Sequence, residues 1–598
     1  MSLEKRDTTP SRSVNADWAR ALQRTAPIRP DSTRTLAIEL DDMAARQPDR
    51  AALVGEGVCL SYGELSALTN QYSRWAIAEG LRAGDRVGLM MANCPDYVAI
   101  WIGLTRVGVV VALLNTQIVG DGLRHCIAIA DLRAVIADAA LLSALRATGV
   151  ADAVKIWSHG ATIPGSDRVD WATSAFDSAQ LNQVERRDVR LRDPALLIYT
   201  SGTTGLPKAA RVSHFRVAMW SHWFAGAMDA RDDDRLYNCL PMYHSVGGVV
   251  AIGAMLVAGG AVIIRGSFSV RRFWPDVVES QATIFQYIGE LCRYLLGAPE
   301  RDAAQGHRLR LCCGNGLREE VWREFQNAFA IPRILEFYAS TEGSFSLFNF
   351  DERPGSIGRI PRFMAHLSPV ALIRVDAETG QPMRGGDGFA LRCAANEAGE
   401  AIGRVEANTD ALATRFEGYT SLAESNGKIL RDVFKPGDCW FRTGDLMEVD
   451  EQGFYYFVDR LGETFRWKGE NVSATEVAVV LASCRGVQDV AVYGARVPGA
   501  EGRAGMAAIV PDPDFSLATL RAQIHARLPR YARPLFIRIL HRMSLTGTYK
   551  LKKSELMRDG FDPSIISDPL YFDDAALGEF RLLDAALCDD IASGRLAV

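Results

Sequence analysis

The sequence predicts an α/β protein in two parts: a large N-terminal domain of parallel-rich sheets flanked by helices, and a small α+β C-terminal domain. Three observations carry that expectation. The chain has 598 residues, more than one hydrophobic core can organise. From about residue 35 to 457, short apolar runs alternate with amphipathic stretches, the pattern of strands that cross over through helices into parallel sheets. After Asp459-Arg460 the texture changes to a second helix-and-strand unit of about 140 residues, an ordinary domain size.

In chain order, residues 1–34 are polar, charged and Pro-containing, and are expected to be flexible. They contain no apolar h-region, so they do not read as a secretory signal. Strands are predicted over 86–91, 134–137, 196–199, 236–240, 284–288, 309–313 and 334–338, and helices over 97–107, 246–257 and 270–281. Beyond the boundary, helices are predicted over 474–484 and 517–528, with strands over 487–497, 506–510 and 535–540. The expected domains are therefore 35–458 and 459–598. Residues 245–264 carry no charge and are long enough to span a bilayer. Five glycines interrupt them, and Gly259-Gly260 should split the run into a helix and a strand over 261–264.

Composition narrows the class. Hydrophobic residues at 48% with 23% charged residues describe a soluble globular chain. A net charge of −5 supplies no basic field for nucleic acid. Eleven cysteines without a CxxC pair imply reduced thiols and a cytoplasmic setting, and Cys312-Cys313 read as part of a buried strand. Peripheral association with the inner face of a membrane stays open, and oligomeric state is unspecified.

The segment Tyr199-Thr200-Ser201-Gly202-Thr203-Thr204-Gly205-Leu206-Pro207-Lys208 carries the strongest chemical signal. Two glycines let the backbone curl its N–H groups inward, while hydroxyls and Lys208 add donors suited to phosphate oxygens. It follows an apolar run and is expected to lead into a helix from about Phe215, as a strand-loop-helix turn. It is not a Walker A loop, because Lys208 is not adjacent to Gly205. The loop resembles the phosphate-binding loop of the adenylate-forming (AMP-binding) superfamily.

Further segments follow in that superfamily's order. Gly314-Asn315-Gly316 would let a flat base lie against the backbone. Tyr338-Ala339-Ser340-Thr341-Glu342-Gly343 resembles the aromatic-x-x-Thr-Glu motif. The resemblance implies that Tyr338 stacks on adenine, Thr341 touches the α-phosphate and Glu342 helps hold Mg²⁺, which prefers one or two carboxylates plus substrate phosphates. Trp440-Phe441-Arg442-Thr443-Gly444-Asp445 resembles the motif whose Asp accepts from both ribose hydroxyls. Asp459-Arg460 matches the hinge and a second ribose contact, although Asp459 alone equally suits a cap. Gly469, in Trp467-Lys468-Gly469-Glu470, matches the glycine that leaves room for a thiol arm, with Arg466 and Lys468 as phosphate contacts or a solvated basic face. Thr546-Gly547-Thr548-Tyr549-Lys550 matches the mobile catalytic lysine, with Lys552 and Lys553 as alternatives. His244 matches a residue between the acyl and thiol channels, whereas His125, His214 and His222 are expected to be structural.

Five stretches narrow the resemblance to the fatty-acid transport protein and very-long-chain acyl-CoA synthetase branch. They are Leu113-Leu114-Asn115-Thr116, Leu123-Arg124-His125-Cys126, Tyr287-Ile288-Gly289-Glu290-Leu291-Cys292, Cys313-Gly314-Asn315-Gly316-Leu317-Arg318 and Asp568-Pro569-Leu570-Tyr571. Ser344 departs from the Asn common there. The resemblance implies a C-terminal domain that rotates between two half-reactions. It also implies ATP, CoA and a long-chain fatty acid as substrates, with Mg²⁺ as cofactor. A steroid or bile acid side chain, an aryl acid or a carnitine-like acid are alternative substrates. An uptake protein with vestigial catalysis is the non-enzymatic alternative.

Overall fold

A computed structural model describes residues 13–150, 154–200, 206–298, 301–365, 370–376, 379–405, 416–461, 465–467, 470–498, 500, 502–528, 530–544, 553–593 and 595–596. These group into two compact units, residues 1–360 with 405–428, and 361–404 with 429–598.

The first unit is built on two sheets. Seven strands lie in the order Asp167–Arg168, Lys155–His159, Ala134–Asp138, Arg86–Met90, Val110–Leu113, Pro194–Thr200, Lys208–Ser213. All pair in parallel except the last, which returns antiparallel. The eight-stranded sheet runs Ser346–Phe348, Ile334–Ala339, Leu311–Asn315, Ile284–Ile288, Arg235–Asn238, Ala261–Ile264, Ala51–Val54, Cys59–Ser61. Its interior pairs are parallel and both outermost pairs antiparallel. Parallel strands are buried on both faces, which is why they read as near-continuous apolar runs such as Ala134-Val135-Ile136-Ala137.

Three expectations need correction. Strands Pro194–Thr200 and Lys208–Ser213 pair antiparallel, so Lys208 opens a strand rather than leading into a helix. The helix expected from about Phe215 is present and begins at His214, where the Ser213 hydroxyl caps it by accepting from Arg216 N–H. Small residues at Ala209 and Ala210 let that returning strand pack with only Arg211 exposed. The strand expected over 309–313 is displaced to Leu311–Asn315, because Arg310 turns aside to pair with Asp234. The N-terminal stretch, expected to be flexible through residue 34, carries helix Val14–Thr25. Trp18 and Ala21 on that helix are buried, with Trp18 edge-on to Trp223, Phe348 and Phe350. Its apolar face was too short to register against the polar composition around it.

Residues 245–264 divide as the glycines require. A π-turn, Val246–Val250, continues into helix Ala251–Ala258, Gly259 terminates it at φ +83°, and strand Ala261–Ile264 follows. Among the described residues no helix is long and apolar enough to cross a membrane.

In the second unit, strands Val370–Ile373, Gly399–Val405, Cys439–Val449 and Phe454–Arg460 are neighbours in one sheet, the first two and the last two pairing antiparallel. A five-stranded sheet follows in the order Val487–Ala495, Ala504–Pro511, Phe536–Ile539, Leu570–Asp574, Glu579–Leu582. Helices Ala474–Ala482 and Leu517–Arg527 contribute Val477, Leu481, Leu520 and Ile524 to its core.

Candidate active site

Four neighbouring strands of the eight-stranded sheet run parallel, so the segments after their C-terminal ends share one edge. That edge carries three of the predicted groups. His244 follows Arg235–Asn238, Gly316 follows Leu311–Asn315, and Thr341 and Glu342 follow Ile334–Ala339. Gly314 and Asn315 lie inside the strand rather than after it, and Gly316 turns out of it at φ +78°. Tyr338 is half-buried near the end of its strand, its ring 5.7 Å from that of Phe345.

A segment without any sequence signal ties these groups to the antiparallel pair Pro194–Thr200 and Lys208–Ser213. Residues 417–420 lie along the strand that starts at Lys208: Arg211 N–H donates to Gly418 O and Thr420 N–H to Ala209 O. Ser213 donates from its N–H and hydroxyl to the two carboxylate oxygens of Glu417, at 2.7 and 2.6 Å. This places Tyr419, almost wholly buried, with its hydroxyl donating to Glu342 Oε1 at 2.6 Å. The Tyr419 ring lies 5.5 Å below Lys208 Nζ, and Glu424 Oε1 lies 3.9 Å from the same ammonium. Thr200 lies opposite Lys208 in the register of the two strands. Burial first, then the Glu342 carboxylate, raises the Tyr419 pKa, so the phenol stays protonated as a donor.

Thr341 is gripped from two sides. Arg216 Nη1 donates to its carbonyl at 2.6 Å, and its hydroxyl lies 3.1 Å from Ser245 Oγ. Arg216 is itself buried beside Glu417, with Nε 3.8 Å from that carboxylate. Lys208, Thr200, Thr341 and Glu342 are thus drawn together with Arg216, Glu417, Tyr419 and Glu424. An ammonium and hydroxyls suit a polyphosphate, and an oriented carboxylate beside them suits the divalent cation that accompanies one.

His244 stands at the entrance to the π-turn, half-buried, its ring 4.6 Å from that of Tyr243. Two asparagines fix its loop: Asn93 donates to Leu240 O and Asn238 to Gly247 O, each at 2.9 Å. The glycines here serve close packing, since a Cβ on Gly248 would sit 1.8 Å from Met242 O. Gly248→Ala is therefore expected to cost about 2 kcal/mol as overpacking. Urea unfolding measures this, and an unchanged midpoint would contradict the packing.

In the second unit, Asp445 and Arg460 face each other across paired strands, with Arg460 Nε 3.4 Å from Asp445 Oδ1. Gly444 holds φ +78°, and its N–H donates to buried Glu400, which also takes a double hydrogen bond from Arg442. Asp459 is buried and accepts from Ser473 Oγ and Thr475 N–H at the start of helix Ala474–Ala482. Its structural task is thus the cap that its residue type alone allowed.

Ser201, Gly202, Thr203, Thr204, Gly205, Gly469 and Lys550 lie outside the described residues. Of the other histidines, His214 is buried and held neutral, its pKa lowered to about 4 by desolvation. His125 contacts Pro207 O, and His222 lies 3.6 Å from Glu39.

Known proteins resemble this chain over most of its length. The family model described as AMP-binding enzyme matches residues 40–390, and AMP-binding enzyme C-terminal domain matches 476–550. Long-chain fatty acid transport protein 1 of Mus musculus is 39% identical over 565 residues, 92% of this chain and 86% of that protein. The medium/long-chain-fatty-acid–CoA ligase FadD6 of Mycobacterium tuberculosis is 37% identical over 546 residues, 91% of this chain and 88% of the relative. Among solved structures, the anthranilate CoA ligase AuaEII in complex with anthranoyl-AMP superposes with TM-score 0.75 at 20% identity, covering 90% of this chain and 98% of that one. At that identity the likeness shows the fold, which is that of the CoA ligases. With two family models in sequence order and relatives matched along nine-tenths of its length, the chain belongs to the AMP-binding enzyme family, on the branch that the long-chain fatty acid transport proteins share.

Proposed function

We propose that the protein is an ATP-dependent long-chain or very-long-chain fatty acid–CoA ligase. In the first step a carboxylate oxygen attacks the α-phosphorus of ATP, giving acyl-AMP and pyrophosphate. In the second the CoA thiol attacks the acyl carbonyl, giving the thioester, AMP and a proton. The observation that carries this reading is the meeting of Lys208, from the seven-stranded sheet, with Thr341 and Glu342, at the edge of the eight-stranded sheet, through Tyr419 and Arg216.

In this reading Thr200 to Gly205 and Lys208 hold the pyrophosphate side. Thr341 meets the α-phosphate, and Tyr338 with Gly314, Asn315 and Gly316 holds adenine. Asp445 and Arg460 hold the ribose. The boundary between residues 458 and 459 would be the hinge about which the C-terminal domain turns, exchanging Lys550 for the Gly469 loop. His244 would orient the acyl carbonyl and need not act as base, because a thiol is already a few per cent ionised near neutrality. Glu342 fits a Mg²⁺ site, since Tyr419 occupies Oε1 by donation and fixes the carboxylate without competing as a cation. When bound, Mg²⁺ would neutralise phosphate charge. The long-chain acid is proposed from the chemistry named for the relatives in both mouse and mycobacterium.

The test is AMP release by purified protein with ATP, Mg²⁺, CoA and acids of graded length, alongside aryl and steroid-side-chain acids. The expected result is fatty acid-dependent AMP and acyl-CoA in equal amounts, highest for long chains. Turnover with an aryl or steroid acid alone would move the assignment to another carboxylate. Absence of AMP with every acid would leave uptake without catalysis.

A further inference from the structure

One buried carboxylate lies beside the candidate site without entering it. Glu336 sits mid-strand in Ile334–Ala339, only 2% exposed. In the sheet register it lies beside Gly314, and Gly314 lies beside Tyr287 on the next strand, so the three residues form one row. Gly314 has no side chain, and Tyr287 reaches across it: a Cβ there would sit 2.7 Å from Tyr287 Cδ2 and 2.2 Å from Tyr287 O. The Tyr287 hydroxyl thereby donates to Glu336 Oε2. The other oxygen, Oε1, accepts from Leu317 N–H at 3.1 Å, and Gly316 N–H also turns toward the carboxylate.

This arrangement changes why Gly314 is a glycine: it leaves passage for a tyrosine ring beneath the loop. Gly316 itself is exposed, adopts φ +78° and has no side chain to fix its path. On its other flank its carbonyl closes against Gly289, where a Cβ would meet Gly316 O at 1.9 Å. Burying a carboxyl is costly unless its hydrogen bonds are made, and an apolar residue would fill the site without that cost. Burial raises the Glu336 pKa to about 8, while Tyr287 and the two backbone N–H groups act to lower it.

We propose that Glu336 and Tyr287 are positioning residues that hold the Gly314–Leu317 turn in the path needed to receive the adenine ring of ATP, without touching the nucleotide. The inference rests on the placement of adenine proposed above. Tyr287→Phe removes one hydroxyl and Glu336→Leu the whole anchor. Glu336→Gln keeps an oxygen for Leu317 N–H and an amide for the Tyr287 hydroxyl.

The experiment is steady-state kinetics with KM measured separately for ATP, CoA and the acid, with Tyr338→Ala as control. Tyr287→Phe is expected to raise the ATP KM about fivefold and Glu336→Leu at least tenfold, while Glu336→Gln stays within about twofold of the parent. KM values for CoA and the acid stay unchanged. If Glu336→Leu does not fold, the contrast between Tyr287→Phe and Glu336→Gln carries the test. A Tyr287→Phe variant that melts earlier but keeps its ATP KM would overturn the proposal, as would equal rises in all three KM values. If Tyr338→Ala raises the ATP KM and Tyr287→Phe does not, only the positioning role fails. If Tyr338→Ala leaves it unchanged, the adenine placement fails, and the positioning role falls with it.

Discussion

Lys550→Ala is expected to slow acyl-AMP formation about a thousandfold while leaving thioester formation from supplied acyl-AMP near the parent rate. The first step brings a carboxylate against the α-phosphate, two anions that must approach to bonding distance. A cation about 4 Å away at an effective dielectric of about 20 is worth roughly 4 kcal/mol, or about a thousandfold in rate. The second step attacks a carbonyl whose partner is a neutral or partly ionised thiol, so that cation is no longer needed. Single-turnover assays of the two halves measure the separation. Equal loss in both halves, or loss in neither, contradicts the assignment. Loss on Lys552→Ala or Lys553→Ala instead shifts the role along the segment.

Glu342→Ala is expected to lower kcat for adenylation by about 10²–10³, the usual effect of removing one preorganised electrostatic group. It also strands the Tyr419 hydroxyl, which donates to this carboxylate from a buried position. Tyr419→Phe keeps the ring under Lys208 and removes only the donor, so its cost should be smaller, about five- to tenfold. Both variants should move the Mg²⁺ half-saturation upward, with Glu342→Ala the larger. A lowered kcat at unchanged Mg²⁺ half-saturation would show that Glu342 acts elsewhere in the step.

What the sequence disclosed follows from periodicity and side-chain chemistry. Strands 284–288 and 261–264 are found at the expected residues, because a fully buried parallel strand is an unbroken apolar run. The Gly259 break was legible because a helix ending at positive φ favours glycine. The antiparallel return of Lys208–Ser213 was not legible. A strand of Lys208-Ala209-Ala210-Arg211-Val212-Ser213 has little β preference, and its place is set by partners on both sides.

The candidate site was legible where motifs are contiguous. Lys208, Thr341 and Glu342 are brought together, whereas Arg216, Glu417, Tyr419 and Glu424 meet them through tertiary placement alone. Arg216 and Glu424 look like ordinary helix-surface charges in the sequence. Glu336 did leave a trace: an acidic residue inside the apolar run Ile334-Leu335-Glu336-Phe337-Tyr338 is rarely fully buried without a partner. Its partner, Tyr287, is 49 residues away and two strands across the sheet, a distance that sequence alone does not span.

The central claim is that a carboxylate is activated as an acyl adenylate. Supplying the purified protein with long-chain acid labelled with ¹⁸O in both carboxylate oxygens, together with ATP, Mg²⁺ and CoA, tests it directly by mass spectrometry of the products. The account predicts one ¹⁸O in each AMP and none in pyrophosphate, because the attacking carboxylate oxygen stays on the α-phosphorus when the thiol displaces AMP. Unlabelled AMP, or label in pyrophosphate or inorganic phosphate, would contradict it.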